Sequence, residues 1–118
     1  MNFQKIGFIG LGLIGGSIAK KIKANCPETQ IYATAHHIET IQEAYKEGII
    51  ENSNLLSMSD FSECDCIFLC APVQRNLDYL AQLKDTIKKD CYITDVGSTK
   101  TEIHEEVIRL DMEANFIG

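Results

Sequence analysis

Two hydrophobic periods alternate along this chain. Short, nearly continuous apolar runs at residues 6–9, 30–35, 66–71 and 91–96 have the length and character of strands buried on both faces. Between them, apolar residues recur every three or four positions, as on one face of a helix: Ile14, Ile18, Ala19 and Ile22; Ile41, Ala44 and Tyr45; Leu77, Leu80, Leu83 and Ile87; Ile103, Val107 and Leu110. Leu55-Leu56 reads as a further short strand followed by a helical turn, and Phe116-Ile117 opens a last one. Pro27 stops the first helix, Gly48 suits a left-handed position after the second, and Thr99-x-x-Glu102 has the spacing of a capping box for the fourth. Strands alternating with helices predict one α/β domain over residues 1–118. Its sheet is doubly wound and mainly parallel, with strand order 3-2-1-4-5-6.

The first strand breaks into Gly10-x-Gly12-x-x-Gly15, and a helix follows at once. Gly10 permits a sharp turn, Gly12 leaves room for a pyrophosphate to approach the backbone, and Gly15 lets the helix pack close to its strand. The helix then offers free N–H groups and the positive end of its dipole to phosphates. This is the Rossmann fingerprint, and a dinucleotide is the expected ligand.

Such a turn normally meets an acidic residue at the end of the second strand, where it accepts hydrogen bonds from the adenosine ribose. Ala35 stands there, followed by His36 and His37. Without the carboxylate a 2′-phosphate meets no repulsion, but no Arg follows to clamp it. His36 can donate to that phosphate or lie solvated, so the choice between NAD and NADP stays open. Ala71, Pro72 and Val73 end the fourth strand on the crevice side and face the cofactor.

A net charge of −6 argues against a nucleic-acid surface, and 45% hydrophobic with 24% charged residues is ordinary for a globular domain. No apolar stretch is long enough to span a bilayer and no secretory leader begins the chain, so a cytoplasmic location is expected. Five cysteines, Cys26, Cys64, Cys66, Cys70 and Cys91, read as reduced thiols with no metal.

Gly10-Leu-Gly-Leu-Ile-Gly-Gly-Ser17 taken with Asp95-Val-Gly-Ser-Thr-Lys100 resembles the N-terminal half of the prephenate and arogenate dehydrogenases over essentially the whole chain. The glycine turn alone is shared with β-hydroxyacid dehydrogenases and pyrroline-carboxylate reductases; the Asp-x-Gly-Ser-x-Lys turn is more specific. The resemblance implies an NAD(P)-dependent oxidative decarboxylation of prephenate or arogenate in tyrosine biosynthesis. It assigns the pyrophosphate to Gly10, Gly12, Leu13, Ile14 and Gly15, and the nicotinamide side to Ala71, Pro72 and Val73. It adds Gly97 to the cofactor set and places Ser98 beside the substrate hydroxyl, where it helps orient the catalytic base.

After Asn115-Phe116-Ile117-Gly118 the family continues to a histidine base and a helical domain that supplies substrate contacts and the homodimer interface. Neither lies within these 118 residues. His36 and His37 belong to the adenosine side and His104 to a solvated helix face. The chain alone is therefore expected to bind a dinucleotide without turnover, with exposed apolar surface favouring self-association. A free-standing Rossmann module acting as a sensor or interaction domain is the alternative. A β-hydroxyacid dehydrogenase is weaker, because Lys100 does not stand where its lysine base belongs.

Overall fold

A computed structural model describes residues 3–96 and 101–117, the side chains of Val73 and Thr101 excepted. Its strands are β1 (Lys5–Ile9), β2 (Gln30–Thr34), β3 (Cys66–Leu69), β4 (Tyr92–Asp95) and β5 (Phe116–Ile117). Helices α1 (Leu13–Asn25), α2 (Ile38–Lys46), α3 (Val73–Leu83) and α4 (Thr101–Arg109) alternate with them. All four strand pairings are parallel, in the order β2-β1-β3-β4-β5.

Side chains that alternate along the strands divide the core into two layers. Ile6, Phe8, Ile31 and Ala33 pack with Ala19 of α1 and with Ile41 and Ala44 of α2. Ile9, Ile67, Leu69 and Ile93 pack with Leu80 and Leu83 of α3 and with Ile103 and Val107 of α4. The sheet is thus covered on both faces, as its near-continuous apolar strands require. Phe8 and Phe68, paired across β1 and β3, stack with centroids 4.8 Å apart.

Three expectations need correction. Among the described residues Leu55-Leu56 forms no strand, so the sequence-based order 3-2-1-4-5-6 loses its first member and keeps the rest. The reason lies at the outer edge of β2, which the following loop satisfies with a side chain. Glu51 N–H donates to Ile31 O at 2.8 Å, while the Asn52 amide accepts from Ala33 N–H at 3.0 Å and donates to Ala33 O at 2.9 Å. A second ladder has nothing left to pair with there. The helical turn expected next does form, as a 3₁₀ helix over Met58–Phe61.

Tyr45 is 49% exposed, because the buried stripe of α2 runs through Ile41 and Ala44 and leaves Tyr45 on its flank. Ile14 is 61% exposed, because the buried face of α1 runs through Gly15 and Ala19. The capping box expected at Thr99 lies outside the described residues. Gly48 does follow α2 with φ +75°, as a left-handed helix stop requires.

Candidate functional site

The carboxyl ends of β1, β2 and β3 converge on the glycine turn. Thr34 O, at the end of β2, accepts from both Gly10 N–H and Leu11 N–H at 2.9 Å. On the other side Gly10 touches the segment after β3, and a Cβ on it would lie 2.8 Å from Ala71 N and 2.9 Å from Ala71 Cα. Gly10 also adopts φ +88°, which side-chain-bearing residues rarely take. Glycine is required there twice over, by conformation and by the neighbouring backbone.

Gly15 lies at the contact between α1 and β3. A Cβ on it would stand 3.2 Å from Cys70 Sγ, the close helix–strand approach expected of the third glycine. Gly12 is different, because a Cβ there would meet nothing within 4 Å. Internal packing does not require glycine at this position, whereas a ligand lying against the backbone does. Gly12 caps α1 without a side-chain hydrogen bond, and the first turn carries no acid. Among the described residues the N–H groups of Leu13, Ile14 and Gly15 have no backbone acceptor. Unpaired donors, a positive dipole end and an empty space above Gly12 fit an anionic pyrophosphate.

A hollow of about 240 Å³ opens beside this turn. Gly10, Gly12, Ala35, His36, Ala71 and Pro72 all line it, so the structure brings together most of the residues singled out from sequence. Leu13 and Ile14 begin α1 with their side chains in solvent and do not line the hollow, and Gly15 packs against Cys70 instead. Val73 begins α3, while Gly97 and Ser98 lie outside the described residues. A larger concavity of about 560 Å³ sits at the amino ends of the strands, lined by charged residues that include Lys5, Asp65 and Lys88. Ligands of open α/β sheets bind at the other end.

Sequence reasoning missed two residues, both on α3. Arg75 reaches across the hollow and places Nη1 3.0 Å from His36 Nδ1. Arg75 comes to His36 from 39 residues away in the sequence. Asn76 is fully buried and donates through Nδ2 to Ala71 O at 2.8 Å and to Asp95 Oδ1 at 2.9 Å. An asparagine one residue before the apolar stripe of an amphipathic helix was the available signal. Its amide ties the strand end that borders the glycine turn to the acid that opens the Asp95–Lys100 motif.

Burial pushes the Cys70 thiol up to about 12, with the Asp95 charge adding to the effect. Cys64 and Cys91 are likewise raised to about 12 and Cys66 to about 11, again chiefly by burial. These thiols stay protonated and act as small apolar groups. Among the described residues no group of three or more His, Cys, Asp or Glu is placed to hold a metal ion, and no helix is long and apolar enough to cross a membrane.

Comparison with known proteins agrees with this geometry. The family described as "Prephenate dehydrogenase, nucleotide-binding domain" matches residues 18–118. A prephenate dehydrogenase of Lactococcus lactis is 41% identical over 119 aligned residues, which cover 98% of this chain and 33% of that protein. The chain therefore spans about a third of the length of that relative. Among solved structures, prephenate dehydrogenase from A. aeolicus in complex with hydroxyphenyl propionate and NAD+ superposes with a TM-score of 0.86 at 27% identity, covering 98% of this chain and 41% of that one. Synechocystis arogenate dehydrogenase gives a TM-score of 0.78 at 30% identity, covering 90% and 37%.

Proposed function

Since the chain belongs to the nucleotide-binding domain family of the prephenate dehydrogenases, we propose that it supplies the NAD(P) site of an oxidoreductase that decarboxylates prephenate or arogenate. The observation that carries this reading is the turn at Gly10 and Gly12. It is held between Thr34 O and Ala71, with open space over Gly12 and unpaired N–H groups at the start of α1. The backbone N–H groups of Leu13, Ile14 and Gly15 hold the pyrophosphate by charge-assisted hydrogen bonds. The hollow between Ala35 and Pro72 receives the adenosine half, and the ends of β3 and β4 direct the other half toward the Asp95–Lys100 motif. A nicotinamide held there would supply the hydride acceptor. Ser98, by its place in that motif, lies nearest the substrate hydroxyl.

Residues 1–118 bind but do not turn over. His36 and His37 stand at the adenosine end, and exposed His104 packs edge-on against Phe116 with centroids 5.8 Å apart. On the family resemblance the general base and the substrate walls come from elsewhere in the whole protein. The test is reduction of NAD+ or NADP+ by the full-length protein with prephenate and with arogenate, followed at 340 nm. Turnover of one substrate supports the reading; a well-folded protein that turns over neither overturns it.

A further inference from the structure

The hollow at the end of β2 has an electrostatic character opposite to that of the whole chain. Against a net charge of −6, no Asp or Glu lines it among the described residues, while Arg75, His36 and His37 all do. Thr40 adds a hydroxyl, and Glu39, the acid in the first turn of α2, stays outside. Ala35 removes the carboxylate that would accept from a ribose hydroxyl and repel a phosphate.

Arg75 is held in an unusual way. Its guanidinium can only donate, so in its contact with His36 the ring Nδ1 stands on the acceptor side. Among the described residues no carboxylate pairs with Arg75. A permanent cation thus faces the hollow with most of its N–H groups uncommitted among the described residues. An anion is a far better acceptor than an imidazole nitrogen, and a planar guanidinium suits phosphate oxygens two at a time.

We propose that Arg75 and His36 form a subsite for the 2′-phosphate of NADP, and that Arg75 makes this domain prefer NADP to NAD. The inference rests on the dinucleotide reading of the crevice. The first turn of α3 supplies the guanidinium and the end of β2 supplies the ring, so the phosphate is gripped from both sides of the hollow. Arg75 exchanges His36 for phosphate oxygens, and His36 turns an N–H toward the same group.

Calorimetric titration of the full-length chain with NADP+ and with NAD+ tests this, using wild type, Arg75→Ala and Ala35→Asp. Arg75 is exposed, so its removal leaves the fold intact. NADP+ should bind wild type at least about tenfold more tightly than NAD+, as expected for charge-assisted hydrogen bonds. Arg75→Ala should remove most of that difference by weakening NADP+ alone, and Ala35→Asp should reverse it. Adenosine 2′,5′-bisphosphate against adenosine 5′-phosphate should show the same contrast without the nicotinamide. Tighter binding of NAD+ to wild type overturns the proposal. So does equal weakening of both dinucleotides by Arg75→Ala, which would place the guanidinium on the adenine ring. Binding of neither dinucleotide overturns the cofactor reading itself, and the subsite with it.

Discussion

Gly10 and Gly12 stand two residues apart in the same turn, yet alanine should affect them in opposite ways. At Gly10 the methyl must accept φ +88° and approach Ala71 N, Cα and Cβ at 2.8, 2.9 and 3.0 Å. Left-handed backbone costs an ordinary residue about 1–2 kcal/mol, and overpacking against backbone adds about 1–3 kcal/mol. Gly10→Ala should therefore lose about 2–5 kcal/mol, a large part of the ~5–15 kcal/mol that holds a domain together. At Gly12 the methyl meets nothing within 4 Å. Alanine is a poorer helix cap than glycine, but it restricts the unfolded chain by about 0.4–1 kcal/mol, so the net change should stay within about 1 kcal/mol.

Binding should rank the two the other way. Gly12→Ala places a methyl where the proposed site puts the pyrophosphate, so it should keep its urea midpoint and lose at least about tenfold in dinucleotide affinity. Urea denaturation read by far-UV circular dichroism, paired with calorimetric titration, separates the two effects. The reasoning fails if Gly12→Ala is as destabilised as Gly10→Ala, since the space over Gly12 would then be filled by the protein. It fails equally if Gly12→Ala binds like wild type.

Gly7→Ala should destabilise by about 1–3 kcal/mol through overpacking, because its Cβ would lie 2.5 Å from Phe61 Cδ1; Phe61→Leu in the same chain should recover part of the loss, and purely additive urea midpoints would refute that contact. Asn76→Ala removes the donor to Ala71 O and Asp95 Oδ1 and should cost about 2–4 kcal/mol; a midpoint equal to wild type would mean the two acceptors are satisfied without it. Above pH 9 the unfolded chain releases thiol protons that the native chain holds until about 11 for Cys66 and about 12 for Cys64 and Cys91, from an ordinary value of 9.0. Native protein then binds more protons, so stability should fall between pH 9 and 11 by up to about 1.4 kcal/mol per pH unit for each thiol. Cys91→Ala should flatten that slope, and an unchanged slope would show that Cys91 titrates alike in both states.

Local pattern made the first half of the site legible. The change from an apolar run to a helical period fixes β1 and α1, and glycines between those elements can be read for their tasks without a partner in view. Gly12 differs from Gly10 and Gly15 in that no contact among the described residues requires it to be glycine. What pattern missed depends on contacts distant in sequence. Leu55-Leu56 has the composition of a strand, but whether it pairs is decided by Asn52, whose amide occupies the edge of β2. Gly7 reads as a gap in an apolar strand until Phe61 is seen against it. Arg75 is one of two charged residues on α3, and only the fold brings it to His36.

The turn, the strand end and the buried amide form one continuous set of contacts. Thr34 O holds Gly10, Gly10 abuts Ala71, Ala71 O accepts from Asn76, and Asn76 donates to Asp95. Every link involves backbone or a side chain with little freedom, and Asn76 and Asp95 are 0% and 3% exposed. The contacts run along the carboxyl ends of β2, β1, β3 and β4 in their spatial order, so the edge that faces the hollow is cross-linked through four neighbouring strands. Hydride transfer requires reacting atoms held near 3–3.5 Å, and a flexible edge cannot hold the two ends of a long cofactor to that tolerance. Specificity needs no such stiffness, which explains why Arg75 and His36 lie exposed at the end of this set of contacts. They can be exchanged for other residues to change the preferred cofactor without loosening the frame that positions it.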